Sequence, residues 1–323
     1  MRKLLALLIL IALLFLASCD LSDAIYANLF SKSKGNPFIE NVYKITSNSA
    51  GQLEFVVVAD VHLGRERDNS GITRYDDNFE AFLKDHKTNT GSNYTALLSL
   101  GDLVDQQEPA NEDVEAFVSR FSKYCSNRFI TMVGNHDLHA VNSTQWENAS
   151  LKLPDSSKIT YYAKRMCVVK CGEVSIYITN NAKRLFGYQQ LEYLEEALKK
   201  DTNPIKIVLA HENVMSGGEL NQSLILYGNP DIYERSNFAR IMEENGVALV
   251  LTAHTHRGNI IHKYKENTYE MNLCAYHARD TLLDLESKGI WYTMSFDTTS
   301  KEIVMKTYLA STKEEIAETR FSY

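Results

Sequence analysis

The sequence predicts an α/β protein, on two observations. From Leu53 onward, apolar runs of strand length alternate with amphipathic segments of helical spacing. Five of the apolar runs also end alike, on a small residue followed by Asp, Asn or His: Ala59-Asp60, Gly101-Asp102, Gly134-Asn135, Ala210-His211 and Ala253-His254. Ligands collect beyond the carboxyl ends of strands in open α/β sheets, so five such ends side by side place five polar groups in one pocket.

The N-terminus reads MRKLLALLILIALLFLASCDLSD. Arg2 and Lys3 form a basic start, and Leu4 to Leu16 give an apolar stretch shorter than the roughly 20 residues a spanning helix needs, which is the pattern of an export signal. The junction Leu16-Ala17-Ser18-Cys19 resembles a bacterial lipobox, which implies removal of residues 1–18 as a lipoprotein signal peptide and a diacylglycerol thioether on Cys19. Acyl chains contribute about 0.8 kcal/mol per buried methylene, so two or three hold a domain stably at a membrane. Residues 19–50, rich in Ser, Asn and Lys, are expected to form a lipid-anchored tether, with the folded domain over 51–323. The implied location is the extracytoplasmic side of a bacterial membrane.

Within the domain, Tyr75, Phe79, Phe82, Leu83 and His86 share one helical face, as do Val114, Phe117, Val118, Phe121 and Tyr124. Between Tyr188 and Lys200 the stripe narrows to Leu191, Leu194 and Leu198. A fourth helix, capped by Ser236, is expected to carry Phe238, Ile241 and Met242 and to stop at Asn245-Gly246. These stripes are core, and His86 reads as a packing or edge histidine on one of them. The run AKRMCVVKCGEVSIYIT reads as a hairpin turning at Cys171-Gly172, which sets Ile176 opposite Cys167 and disfavours a Cys167–Cys171 bridge. Cys125, Cys167, Cys171 and Cys274 are therefore expected as isolated buried thiols. The stretch TMVGNHDLHA reads as a buried strand, 131–133, delivered through Gly134 to Asn135.

Composition narrows the function. With 44% hydrophobic and 23% charged residues among 323, the chain is globular, and 5 Pro with 15 Gly exclude collagen-like and low-complexity chains. A net charge of -7 gives no general attraction for nucleic acid, so sequence-specific binding to it is not expected.

The chemistry gathers at the strand ends. In an extended segment residues i and i+2 point the same way, which pairs Asp60 with His62 and His254 with His256. Asp105 follows Asp102 one turn on, where it adds a second carboxylate or caps the turn, and His136 and Asp137 follow Asn135. Asp, His and Asn donors without thiolate suit Mn²⁺, Fe or Zn²⁺. Asp60, His62, Asp102, Asn135, His211, His254 and His256 are too many for one ion and enough for two divalent ions if one carboxylate bridges.

In order along the chain, Asp60-x-His62, Gly101-Asp102-x-x-Asp105, Gly134-Asn135-His136-Asp137, His211 and His254-x-His256 resemble the five blocks of the calcineurin-like metallophosphoesterases, over about residues 53 to 262. The resemblance implies a four-layer α/β/β/α sandwich with two mixed sheets. It implies one metal on Asp60, His62, Asp102 and His256, and a second on Asp102, Asn135, His211 and His254. His136 would contact the phosphoryl group and protonate the leaving oxygen, with Asp137 orienting the imidazole. Two cations about 3.5 to 4 Å apart clamp a phosphoryl group and make hydroxide available near neutral pH.

The expected activity is thus hydrolysis of a phosphomonoester or phosphodiester by attack of metal-bound hydroxide. The alternative is a non-catalytic metal-binding surface lipoprotein or adhesin on the same scaffold. Ala210 and Ala253 stand where the family usually has Gly, and AHEN lacks a Pro, which affects the pocket wall near Glu212 and Asn213. The stretches 64–71, 139–146 and 212–236 are expected to shape the pocket. Arg65 and Arg67 either hold a phosphate or sugar acid or are simply solvated. His139 and His262 read as surface residues, and the sequence assigns His277 no place.

Overall fold

The computed structural model describes residues 35–46, 50–64, 72–86, 91–105, 111–140, 159–162, 164–182, 185–215, 232–264, 267–279 and 287–323. The expected signal peptide and Cys19 lie outside them, as do Arg65, Arg67, the 141–146 part of one pocket loop and the 216–231 part of another. In chain order the strands are β1 (Val42–Ile45), β2 (Glu54–Val58), β3 (Ile72–Thr73), β4 (Ala96–Ser99), β5 (Arg128–Thr131), β6 (Thr160–Tyr162), β7 (Cys167–Cys171) and β8 (Val174–Ile178). They continue with β9 (Ile205–Leu209), β10 (Val247–Thr252), β11 (Ile260–Lys263), β12 (Tyr269–Asn272), β13 (Ala278–Arg279), β14 (Ser287–Lys288), β15 (Ile290–Asp297), β16 (Glu302–Leu309) and β17 (Glu315–Ser322). Among the described residues no helix is long and apolar enough to cross a membrane.

Two seven-stranded sheets form, ordered β1-β7-β8-β9-β10-β12-β11 and β17-β16-β15-β2-β4-β5-β6, and β14-β13-β3 makes a small third. Both large sheets are mixed: β2, β4, β5 and β6 run parallel, as do β8, β9, β10 and β12, with antiparallel pairs outside them. The period of two decides the layering. Phe55 and Val57 of β2 join Leu249 and Leu251 of β10 in the core between the sheets. Val56 and Val58 face outward against Phe79 and Phe82 of helix Asp76–Asp85 and Phe117 and Phe121 of helix Asn111–Ser122. On the other side, Val208 and Val250 meet Leu191 and Leu194 of helix Tyr188–Lys200 and Phe238 and Ile241 of helix Ile232–Glu244. This is the expected four-layer α/β/β/α sandwich. Each buried Leu, Val or Phe contributes about 1.5–3 kcal/mol, so the central strands withstand backbone strain at their ends.

Several expectations need correction. The tether does not extend to residue 50, because Asn36 caps a short helix, Pro37–Glu40, and β1 pairs in parallel with β7. Phe38 and Ile45 are buried in the cores, too few apolar residues to stand out in a polar stretch. The hairpin turns at Gly172-Glu173, so Ile178, not Ile176, lies opposite Cys167; Cys125, Cys167, Cys171 and Cys274 are buried thiols, as expected. Ser236 lies inside its helix, which starts by Ile232, while Gly246 closes it with φ +65° as read. The strand before Asn135 is Arg128–Thr131 rather than 131–133, and Asn135 opens the helix Asn135–Ala140. His86 sits just past its helix and stacks on Phe82 at 4.3 Å between ring centroids.

Asp201, at the end of helix Tyr188–Lys200, ties that helix to the sheet. Its buried carboxylate accepts from Lys170 Nζ and Tyr177 Oη, each at 2.8 Å, and from Asn203 N at 3.2 Å. Burial opposes its charge, but Lys170 and the Ser175 and Tyr177 hydroxyls outweigh burial and hold the carboxyl below its ordinary value. A depressed carboxyl stabilises the fold above its unfolded pKa of about 3.9, and that contribution disappears as pH falls through the folded value. Asp201→Asn is therefore expected to lower the urea midpoint at pH 7, with the gap to wild type closing below about pH 4. A gap that stayed constant across that range would refute the assignment.

Candidate metal centre

The parallel strands β2, β4 and β5 of one sheet and β9 and β10 of the other deliver their carboxyl ends to one place. Beyond the strands the main-chain ladder continues: Asp60 N donates to Gly101 O at 3.3 Å, His62 N to Asp102 O at 3.0 Å, and Leu63 N to Leu103 O at 2.9 Å. The turns that follow are left-handed, with φ of 49° at Asp60, 51° at His62, 48° at Asp102, 69° at His254 and 59° at His256. Asp60 and His62 thus converge through a turn, not through the extended alternation expected. Such backbone costs about 1–3 kcal/mol per residue and persists only where its surroundings dictate it.

The small residues before the donors have a steric reason. A Cβ on Gly134 would lie 2.2 Å from both N and Oδ1 of Asp102, and one on Gly101 would lie 2.8 Å from Gly134 N. The turns after β4 and β5 therefore touch backbone to side chain, which only glycine allows.

Three overlapping groups of donors result, of which His62, Asp102 and His136 shares a member with each of the other two. Asp60, His62 and His256 form one, with His62 Nε2 3.2 Å from His256 Nε2 and His256 Nε2 3.7 Å from Asp60 Oδ1. Asp102, His211 and His254 form the other, where His211 Nε2 lies 3.2 Å from Asp102 Oδ2 and 3.0 Å from Asn135 Oδ1. Asp102 stands between them, its Oδ2 also 3.9 Å from His62 Nε2. All seven sequence-predicted donors are therefore brought together. The Asp60 carboxylate also accepts from His254 N at 3.1 Å, which links the two sheets across the centre.

The donor set fits divalent cations. His211 Nδ1 is 2.8 Å from the Leu100 carbonyl and donates to it, so Nε2 faces the Asp102 carboxylate and carries either a proton or, in the neutral ring, the lone pair a cation would take. Atoms converging at such distances need a shared proton or a cation among them, and an imidazole fixed by a carbonyl on its other nitrogen is the usual arrangement of a metal-binding histidine. Burial disfavours an imidazolium at His211, but the Asp102 carboxylate outweighs burial and raises its pKa to about 10. Burial and neighbouring imidazoles push His254 down to about 3 and His256 well below its usual value, so both present lone pairs. Asp102 is opposed by burial yet held well below the carboxylate range by His211 and His62, while burial lifts Asp60 to about 8.

His136 stands beside the donors, one-fifth exposed, with its ring edge-on to His62 at 4.6 Å. Its Nδ1 lies 2.7 Å from Asp105 Oδ1, so Asp105 orients the imidazole and leaves Nε2 as the other functional nitrogen. Asp137, expected in that role, is buried and accepts instead from Gly134 N at 2.7 Å and Val104 N at 3.1 Å. It cross-links the turns after β4 and β5; adjacency in sequence misled because the helix starting at Asn135 rotates its carboxylate toward the main chain.

Sequence reasoning missed three supporting residues. Asn181 Oδ1 accepts from His211 N at 2.8 Å and from Glu212 N at 3.1 Å. Its signal was present, since β8 is another apolar run that ends in polar residues, Thr179-Asn180-Asn181. Glu270, buried in β12, accepts from Val214 N at 3.0 Å, Met215 N at 2.9 Å and Tyr264 Oη at 2.7 Å, holding the wall that follows His211. His277 lies fully buried against His62 and His256. His262 is on β11 against Tyr264, outside the cluster, and the His139 side chain lies outside the described residues.

Among curated proteins none matches this sequence. Among solved structures the fold is similar to GAP50, the anchor in the inner membrane complex of Plasmodium, with a TM-score of 0.54 and 14% identity over 84% of this chain and 88% of that one. It is also similar to purple acid phosphatase PPD1 from yellow lupin seeds, with a TM-score of 0.56 and 13% identity over 85% of this chain and 55% of that one. The chain thus spans about half the length of that phosphatase. Identities this low speak to fold alone. The sequence itself matches the family model of the calcineurin-like phosphoesterases over residues 53–258, a span that runs from the strand before Asp60 to just past His256 and covers more than half of the chain; the protein belongs to that family.

Proposed function

We propose that the protein is a dinuclear-metal phosphoesterase, tethered by a lipid on Cys19 to the extracytoplasmic side of a bacterial membrane. The observation that carries the activity is the pair of donor groups meeting at Asp102 with the Asp105-oriented His136 beside them. One ion would sit on Asp60, His62, Asp102 and His256 and the other on Asp102, Asn135, His211 and His254; Mn²⁺, Fe and Zn²⁺ all suit these donors. Bound there, two divalent ions supply Lewis acidity toward a phosphoryl oxygen and a water acidic enough to ionise near neutral pH.

The chain's own residues do the rest. Asp102 keeps both donor groups in one unit and accepts from His136 N at 2.7 Å, which fixes the acid relative to the reacting centre. His136 delivers a proton from Nε2 to the departing oxygen, and the Asp105 carboxylate on Nδ1 stabilises the imidazolium that precedes this transfer. Phosphomonoesters and phosphodiesters are both compatible substrates. The net charge of -7 favours neither nucleic acid nor an anionic membrane as a binding surface, which is why attachment is assigned to the lipid.

The test is the full chain in detergent, loaded with Mn²⁺ and assayed on mono- and bis-p-nitrophenyl phosphate. Turnover is expected, and the ratio of the two rates gives the ester class. No turnover while two ions are bound refutes the enzyme. A purely anchoring role, as the name of the Plasmodium protein GAP50 describes for that protein, would then be the reading left standing. Cys19→Ser is expected to release the protein from the membrane fraction.

A further inference from the structure

We propose that His277 is a positioning residue for the half of the centre built by Asp60, His62 and His256, a proposal that rests on the two-ion reading above. His277 has no solvent exposure, and three contacts among the described residues bear on its place. Its Nδ1 lies 2.8 Å from the Asp60 carbonyl oxygen, which accepts only, so Nδ1 carries the proton and donates. Its ring meets His62 edge-on at 5.2 Å and His256 edge-on at 5.0 Å. Those two rings meet each other at 5.1 Å, so the three imidazoles close a triangle.

Each contact constrains a donor. The hydrogen bond engages the carbonyl of Asp60, whose left-handed φ of 49° needs support from outside the turn. Tyr276 N donates to Ala59 O at 2.8 Å, so consecutive residues of the 276–277 segment hold consecutive residues of the 59–60 turn. The ring faces limit rotation of His62 and His256 about their outer side-chain bonds, keeping the two Nε2 atoms 3.2 Å apart and facing each other. Among the described residues no ring contact joins His277 to His211 or His254. The other half of the centre is instead held by Leu100 O and Asn181.

This separation makes the role asymmetric, which a general packing role would not be. The experiment uses the full chain in detergent, stripped of metal and titrated with Mn²⁺ by calorimetry and with Co²⁺ by visible absorption. His277→Asn keeps an N–H near the Asp60 carbonyl and removes the ring; His277→Phe keeps a ring and removes the donor. Each is expected to weaken one of the two ions by about 10–100-fold, the range for losing a partner that orients a metal-binding histidine, and to leave the other unchanged. His277→Phe added to Asp60→Asn should not weaken the remaining ion further. Equal weakening of both ions, no weakening of either, or loss of folded protein in both variants overturns the proposal. A wild-type chain that binds fewer than two ions overturns the two-ion reading instead.

Discussion

Asp102→Asn is expected to remove phosphoesterase turnover by at least about 10³-fold and to leave the chain holding no more than one ion tightly. The Asp102 carboxylate lies 3.2 Å from His211 Nε2 and 3.9 Å from His62 Nε2, within reach of both donor groups. Lewis-acid stabilisation is worth several kcal/mol, and about 1.4 kcal/mol is a decade in rate, so losing one ion's share gives about three decades. The amide is isosteric and still accepts from His136 N, so the fold should survive. The measurements are kcat/KM with Mn²⁺ and metal content after dialysis. A variant that retained two ions and one-tenth of the activity would show that Asp102 does not unite the centre.

His136→Ala should lower the rate on an alkyl phosphomonoester by about 10²–10⁴, the usual contribution of a positioned acid, with two ions still bound. The loss should be smaller on p-nitrophenyl phosphate, because nitrophenolate departs without a proton. That difference separates proton donation from substrate binding: an equal loss on both esters would refute the acid. Asp105→Asn should follow the same leaving-group pattern with a smaller loss, since the ring keeps its place but its cation loses a countercharge 2.7 Å away. Asp137→Asn should instead act through stability, because its oxygens hold Gly134 N and Val104 N.

The donors were legible because each sits where an apolar run stops, and hydrophobic burial fixes such runs whatever the turn chemistry. Asp60, Asp102, Asn135, His211 and His254 needed nothing beyond that pattern. Which carboxylate serves His136 was not legible, since Asp105 and Asp137 are both near it in sequence and only the helix starting at Asn135 decides between them. His277 was hidden for another reason: it reaches Asp60 from the far end of the chain, and a sequence separation of 217 residues leaves no local trace. The same holds for β15, which enters beside β2 and completes the sheet under the centre. Residues 35–46 were misplaced because four-residue elements with few apolar side chains look like linker.

The left-handed turns that carry the donors are stitched into the sheets by main-chain hydrogen bonds, from Asp60 N through to Asp105 N on Leu63 O at 3.1 Å. They therefore form when the sheets form, and the chain presents a socket rather than a clasp that shuts on its cargo. With shape fixed in advance and hard and borderline donors mixed, occupancy by the proposed ions would follow the order of divalent affinities and the local supply of each metal. The same folded molecule would then change its catalytic metal when its surroundings change, with no new protein made.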